Sequence, residues 1–148
     1  MERKEALESL RYAISSRLKE LHKEMNELRE GLAADTKSTS GDKHETSRAM
    51  NQLEQERLGK LIDQTEQMLN TTSQLAQSSQ GSMIQNGSLL RLNGAYYLLA
   101  VAHGKLKVNN IEVFVLSPAS PIGNALLGKT YGETISFNGR SIVIEEVH

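Results

Sequence analysis

Asp42 and Glu45 stand three residues apart in the run Gly41-Asp42-Lys43-His44-Glu45. A pair of carboxylates at that spacing offers hard oxygen donors, the type that Mg²⁺ prefers, and Mg²⁺ commonly takes only one or two carboxylates with phosphate and water completing its shell. Two acids cannot form a whole cage. They can complete one that a partner supplies, so the chain by itself is expected to show no nuclease activity and to hold no cofactor of its own. The same spacing also reads as a capping box, in which an Asp N-cap and a Glu three residues on satisfy exposed N–H groups and suit the positive end of a helix. Spacing alone favours capping. His44 lies between the acids with no role assigned, because a lone exposed histidine is usually solvated.

The flanking sequence decides what could carry such a pair. Leu7, Leu10, Ile14, Leu18, Leu21, Met25, Leu28 and Leu32 recur at steps of three and four, which predicts one apolar stripe along a helix. After a break rich in Ala, Ser, Thr and Gly, the pattern resumes with Met50, Leu53, Leu61, Met68 and Leu75 as the expected seam, flanked by Leu58, Ile62 and Leu69. Two such stripes joined by a short polar connection predict an antiparallel coiled-coil hairpin over residues 1–78, each arm burying the other, with its tip near 34–45. Arms of about 28 residues would reach roughly 40 Å at the rise of an α-helix. The competing reading is one continuous helix in a homo-oligomer. Gly31, Gly41 and Asp35-Thr36-Lys37-Ser38-Thr39-Ser40 argue against it, since these residue types favour turns and caps.

With 148 residues, the chain fits one ordinary domain or a helical hairpin plus a small domain. The polar stretch Gln77-Ser78-Ser79-Gln80-Gly81-Ser82 marks the change of composition, predicting a linker over 79–87 and a second domain over 88–148. Cysteine is absent, which excludes a disulfide framework and a thiolate zinc site. No apolar run is long enough to span a bilayer, and the first residues read as a charged helix rather than a signal peptide, so a cytoplasmic monomer away from the membrane is expected. The net charge of -1 gives no general drive toward duplex DNA.

Residues 88–148 read as strands. Asn93-Gly94 between Ser88–Leu92 and Tyr96–Val101, Asn109-Asn110 between Lys105–Val108 and Ile111–Leu116, and Asn138-Gly139 between Thr134–Phe137 and Ser141–Val147 predict three hairpins. Between them, Pro118 and Pro121 precede Ala125–Leu127, a candidate short helix that Gly128 would end. The expected fold class is α+β, a small antiparallel sheet with one short helix following the helical hairpin.

The run Ser117-Pro118-Ala119-Ser120-Pro121-Ile122-Gly123-Asn124-Ala125-Leu126-Leu127-Gly128-Lys129, with Tyr131-Gly132-Glu133 and the closing Ile144-Glu145-Glu146-Val147, resembles the C-terminal domain of bacterial Gre transcript-cleavage factors. The resemblance extends to the N-terminal hairpin. It implies an FKBP-like C-terminal domain docked on the rim of the RNA polymerase secondary channel and a coiled coil inserted in that channel. It further implies that Gly41, Asp42 and Glu45 match the family's tip motif, where the two acids help hold a second Mg²⁺, shared with polymerase, that drives cleavage of the 3′ end of backtracked RNA. On this reading the chain is a transcription elongation factor and not itself an enzyme. Ser117, Pro118, Ser120, Pro121, Ile122 and Gly123 become the candidate polymerase-docking residues, against a purely local role in shaping the strand-to-helix turn.

The tip departs from the family at Lys43, His44, Thr46, Ser47, Arg48 and Ala49. A nearby cation lowers a carboxylate's pKa and competes for its lone pairs, so the alternative is a Gre-fold modulator or inhibitor of polymerase without efficient cleavage. A prolyl isomerase would need an aromatic-lined pocket, and the chain has no Trp and only two Phe. A coiled-coil adaptor would use the helix faces in place of the tip.

Overall fold

The computed structural model describes residues 1–35 and 41–148, with side chains described for 1–31 and 45–148. In chain order it contains α1 (Arg3–Asp35), α2 (Gly41–Gln77), β1 (Leu89–Leu92), β2 (Ala95–Leu99), β3 (Gly104–Val108), β4 (Ile111–Leu116), α3 (Pro121–Leu126), β5 (Thr134–Phe137) and β6 (Arg140–Val147). The class is α+β: two long helices, then a six-stranded mixed sheet. Two compact units divide the chain, one of Ile14–Met68 and one of Met1–Ala13 with Leu69–His148.

In the Ile14–Met68 unit, α1 and α2 run side by side in opposite directions. His22 faces Glu66 at 3.8 Å, and six residues further along α1 the Leu28 carbonyl accepts from Asn51 Nδ2 at 3.3 Å, fifteen residues earlier in α2. The apolar centre is Leu21, Met25, Leu58 and Ile62, with Leu18, Leu28 and Leu61 packed around it. The described members of the predicted α1 stripe, Leu7 to Leu28, are buried or half-buried, and the Leu32 side chain lies outside the described residues. The α2 seam is not the predicted one. Met50 and Leu53 are 67% and 66% exposed, whereas Leu58, Ile62 and Thr65 are buried. Asn51 and Gln55, both half-buried, take the inward positions nearer the start of α2, and Gln55 Nε2 donates to Asn51 Oδ1 at 3.0 Å. Helix α2 carries two competing stripes one residue apart. The stripe through Leu58 and Ile62 prevails because the other would put Arg57 and Gln64 into the seam. Thr65 is tolerated inside because its hydroxyl donates to the Leu61 carbonyl of its own helix at 2.6 Å.

In the other unit the strand order is β3-β4-β2-β1-β6-β5. All three Asn-led turns form where the sequence places them. Asn93, Asn109, Asn110 and Asn138 have φ of 47°, 50°, 65° and 50°, the left-handed conformation that a two-residue hairpin turn requires. The sheet is not wholly antiparallel as expected, because β2 and β4 pair in parallel, Tyr96 opposite Val113 through Leu99 opposite Leu116. The chain leaves β2, passes the end of β4, descends as the edge strand β3 and returns through the Asn109-Asn110 turn as β4. That connection is long enough for a parallel crossover because it contains a strand of its own.

One sheet face packs a core of Ile84, Leu90, Leu92, Leu99, Leu126, Ile135 and Ile144. Leu89 and Leu98, opposite each other in the register, point to the other face and are fully buried. That face is covered as well, which is why β1 reads as nearly continuous leucine. A bulge between Arg91 and Leu92 interrupts the β1–β6 ladder. Past it, Asn93 restores the pairing: its Oδ1 accepts from Val143 N at 2.9 Å and its Nδ2 donates to the Ser141 carbonyl at 3.1 Å.

Candidate functional site

Asp42 and Glu45 lie at the start of α2, whose helical backbone begins at Gly41 and takes in positions 42 and 45 within its first turns. Glu45 is exposed, as are Thr46, Ser47, Arg48, Ala49 and Met50. The side chains of Asp42, Lys43 and His44 lie outside the described residues, as does the connection 36–40. Positions three apart on a helix share a face. Glu45 and Arg48 therefore neighbour each other on this exposed turn. Among the described residues no three His, Asp or Glu side chains converge in a way that could hold a metal ion.

Behind this turn, a groove lined by Glu24, Glu27, Leu28, Gly31, Asn51, Glu54 and Leu58 runs along the helix pair. Its acidic character is partly offset. Arg57 donates to both carboxylate oxygens of Glu54 and holds that carboxyl below the ordinary carboxylate range, chiefly through the hydrogen bond. On the outer side of α2, Leu53, Glu56, Arg57, Lys60, Leu61 and Gln64 line a second groove. Sequence periodicity missed this exposed Met50–Leu53 surface because it counted both residues into the buried seam.

The second candidate segment, 117–123, is a tightly bonded strand-to-helix turn. The Ser117 carbonyl accepts from Ser120 N at 3.0 Å and from Ser120 Oγ at 2.6 Å, while Ser117 Oγ accepts from Ala119 N at 3.1 Å. Ser120 is the N-cap of α3, its Oγ accepting from Gly123 N at 3.1 Å, and Pro121 opens the helix where a missing N–H costs nothing. The helix thus starts at Pro121, four residues before the expected Ala125, because the cap and the proline together set its first turn. Gly123 is buried, and a Cβ there would fall 2.2 Å from the Ser117 carbonyl oxygen and 2.8 Å from Ser120 Oγ. Only glycine fits.

Among the six candidate docking residues, then, Ser117, Ser120 and Gly123 have work inside the turn. Ile122 packs on the sheet core, Pro118 is half-buried and Pro121 is exposed. The same unit exposes Met83 (53%), Leu127 (39%) and Tyr131 (73%), near one another in the chain path because Met83 bridges Thr130. No pattern in the sequence signals this cluster, as single apolar residues between strands are common on surfaces.

No helix in the described residues is long and apolar enough to cross a membrane. No protein-family model matches this chain, and no curated protein matches it.

Proposed function

We propose that the chain is a Gre-like transcription elongation factor: a cytoplasmic monomer that binds bacterial RNA polymerase, places the end of its helix pair in the secondary channel and stimulates cleavage of backtracked RNA by the polymerase active site. In this reading α1 and α2 form a coiled-coil hairpin and the sheet unit is an FKBP-like docking domain. The observation that carries it is the combination of two antiparallel helices, with Asp42 and Glu45 in the first turns of the second, and the Ser117–Lys129 motif that follows β4.

The residues have separable tasks. Asp42 and Glu45 supply two carboxylate groups on neighbouring turns, fitting a hard cation that polymerase and RNA phosphate also ligate. Mg²⁺ bound there would position and activate the attacking water. The helix pair has to present these acids at a defined depth, and Leu21, Met25, Leu58 and Ile62 keep its two helices in register. Pro118, Pro121 and Ile122 offer the apolar side chains of the docking turn, while Ser117, Ser120 and Gly123 fix its shape.

A second reading has one observation in its favour. Arg48 is exposed three residues from Glu45, and Lys43 adjoins Asp42 in sequence. Cations in that setting compete with a metal for the carboxylates. The chain would then occupy the channel and modulate or inhibit polymerase without efficient cleavage.

Association with bacterial RNA polymerase, followed by fluorescence anisotropy of the labelled protein, tests the common ground of both readings. Saturable binding that survives Asp42→Asn with Glu45→Gln and weakens with Pro121→Asp supports docking through the sheet unit. Absence of any binding overturns both. Binding without stimulated cleavage at saturating Mg²⁺ selects the inhibitor reading.

A further inference from the structure

Arg3, the third residue of the chain, reaches residues more than seventy positions away. Its Nε donates to the Gly87 carbonyl at 2.7 Å, and its terminal nitrogen donates to the Leu75 carbonyl near the end of α2 and to Ser78 Oγ at 3.0 Å. The planar, permanently charged fork of arginine can serve three acceptors at once, whereas the compact ammonium of lysine is not arranged to do so.

Ser78 is the node of a polar network. Its hydroxyl donates to the Leu75 carbonyl at 2.8 Å and accepts from both Arg3 and Gln80 Nε2, the latter at 3.3 Å, which uses its one proton and both lone pairs. Gln80 Oε1 in turn accepts from Ser88 Oγ at 2.8 Å, and Ser88 Oγ accepts from Gln85 N at 3.0 Å. Ser88 is completely buried. A buried hydroxyl that lost these partners would carry a desolvation cost with nothing to offset it. Gln85 Nε2 also donates to the Ser79 carbonyl at 2.6 Å, folding the segment back on itself. Gly87, at φ 93°, is built around the guanidinium: a Cβ there would lie 3.1 Å from the Arg3 terminal nitrogen and 3.2 Å from Gln80 Nε2.

Polar side chains, with little apolar packing of their own, therefore close the segment from Ser78 to Ser88 on itself, while backbone hydrogen bonds of Ile84 with Lys129 and Gly128, and of Gly87 and Ser88 with Leu99, tie it to the sheet unit. Of its residues only Ile84 belongs to the sheet core. We propose that this connector is a strap that opens and closes as one unit, and that Arg3 is its latch, acting on Gln85 and Ser88 through the relay Arg3–Ser78–Gln80–Ser88. Local opening of this kind, below the free energy of global unfolding, is the behaviour of segments held by few apolar contacts. The strap is independent of the polymerase reading and stands on the intramolecular geometry alone.

Native-state hydrogen exchange on the full chain, read at single amides, tests it. Arg3→Ala is expected to speed exchange at Gln85 and Ser88 by about tenfold or more, the scale of losing a hydrogen bond to a charged group. Val113 and Val115 of β4 should stay within about twofold. Ser78→Ala, which leaves Arg3 in place but removes the node, should accelerate the same two amides, and Arg3→Lys should not restore protection. Unchanged exchange at Gln85 and Ser88 in Arg3→Ala would overturn the latch. Equal acceleration at Val113 and Val115 would overturn it too, by showing a global stabiliser. Acceleration by Arg3→Ala with none by Ser78→Ala would overturn the relay.

Discussion

The two units solve the problem of a small core in different ways. The sheet unit closes seven buried residues from β1, β2, β5, β6, α3 and the connector into one cluster, so each is covered from several directions. The Ile14–Met68 unit has only two surfaces to pair, and its cluster holds four buried residues, two from each helix. Nearer the start of α2 the seam is Asn51 and Gln55, with Met50 and Leu53 turned to solvent. A two-helix layer offers each position a single partner, so polar residues in one stripe, here Arg57 and Gln64, turn its apolar neighbours outward. A layered sheet has no such freedom, because alternation commits every second residue to the same face.

The same chemical change should therefore have very different costs in the two regions. Leu126→Ala, at a fully buried site, is expected to destabilise by about 2–5 kcal/mol in urea unfolding, through lost burial and the cavity left behind. Gly123→Ala comes next, at about 1–3 kcal/mol, since its methyl would collide with the Ser117 carbonyl and force the turn apart. Leu53→Ala should change stability by no more than about 0.5 kcal/mol, as expected for an exposed position. A cost at Leu53 approaching that at Leu126 would mean that the helix pair uses the Met50–Leu53 seam after all, and the contrast between the units would fail.

The smallest effect concerns pH. The Glu146 carboxyl lies below its ordinary value of about 4.5, held there chiefly by the hydrogen bond from His148, against partial desolvation, with Arg91 adding to it. A carboxyl depressed on folding contributes stability that is present above its unfolded pKa and is lost as pH falls through the folded value. Acidification from about pH 5 toward about 3 should thus weaken the β1–β6 pairing slightly. Glu146→Gln should flatten that part of the profile, and an unchanged slope in the variant would show that other carboxylates carry it. The effect is modest because Glu146 and both partners are more than a third exposed.

Much of the sheet unit was legible because its signals are local. An Asn-Gly or Asn-Asn pair needs only its own backbone to turn, and the three hairpins stand where those pairs predict them. The parallel β2–β4 pairing was not legible, since nothing within either strand records which neighbour it takes. The seam of α2 was ambiguous for a related reason: periodicity counts apolar residues and cannot weigh the cost of burying Arg57 against that of exposing Leu53. At the candidate site, the segment from Ser117 to Gly123 contains a capped turn whose glycine is required by contact. That requirement comes from the approach of the Ser117 carbonyl, which spacing does not reveal. Arg3 carried no sequence signal at all, because its partners lie more than seventy residues away.

The proposed role of Asp42 and Glu45 inside a partner's active centre is open to direct measurement. Purified bacterial RNA polymerase cleaves backtracked RNA at a rate that can be followed alone, with the wild-type chain, and with the Asp42→Asn, Glu45→Gln variant at equal occupancy. Stimulation by the wild type and a return to the polymerase-only rate with the variant are expected. Equal stimulation by both proteins would contradict that role.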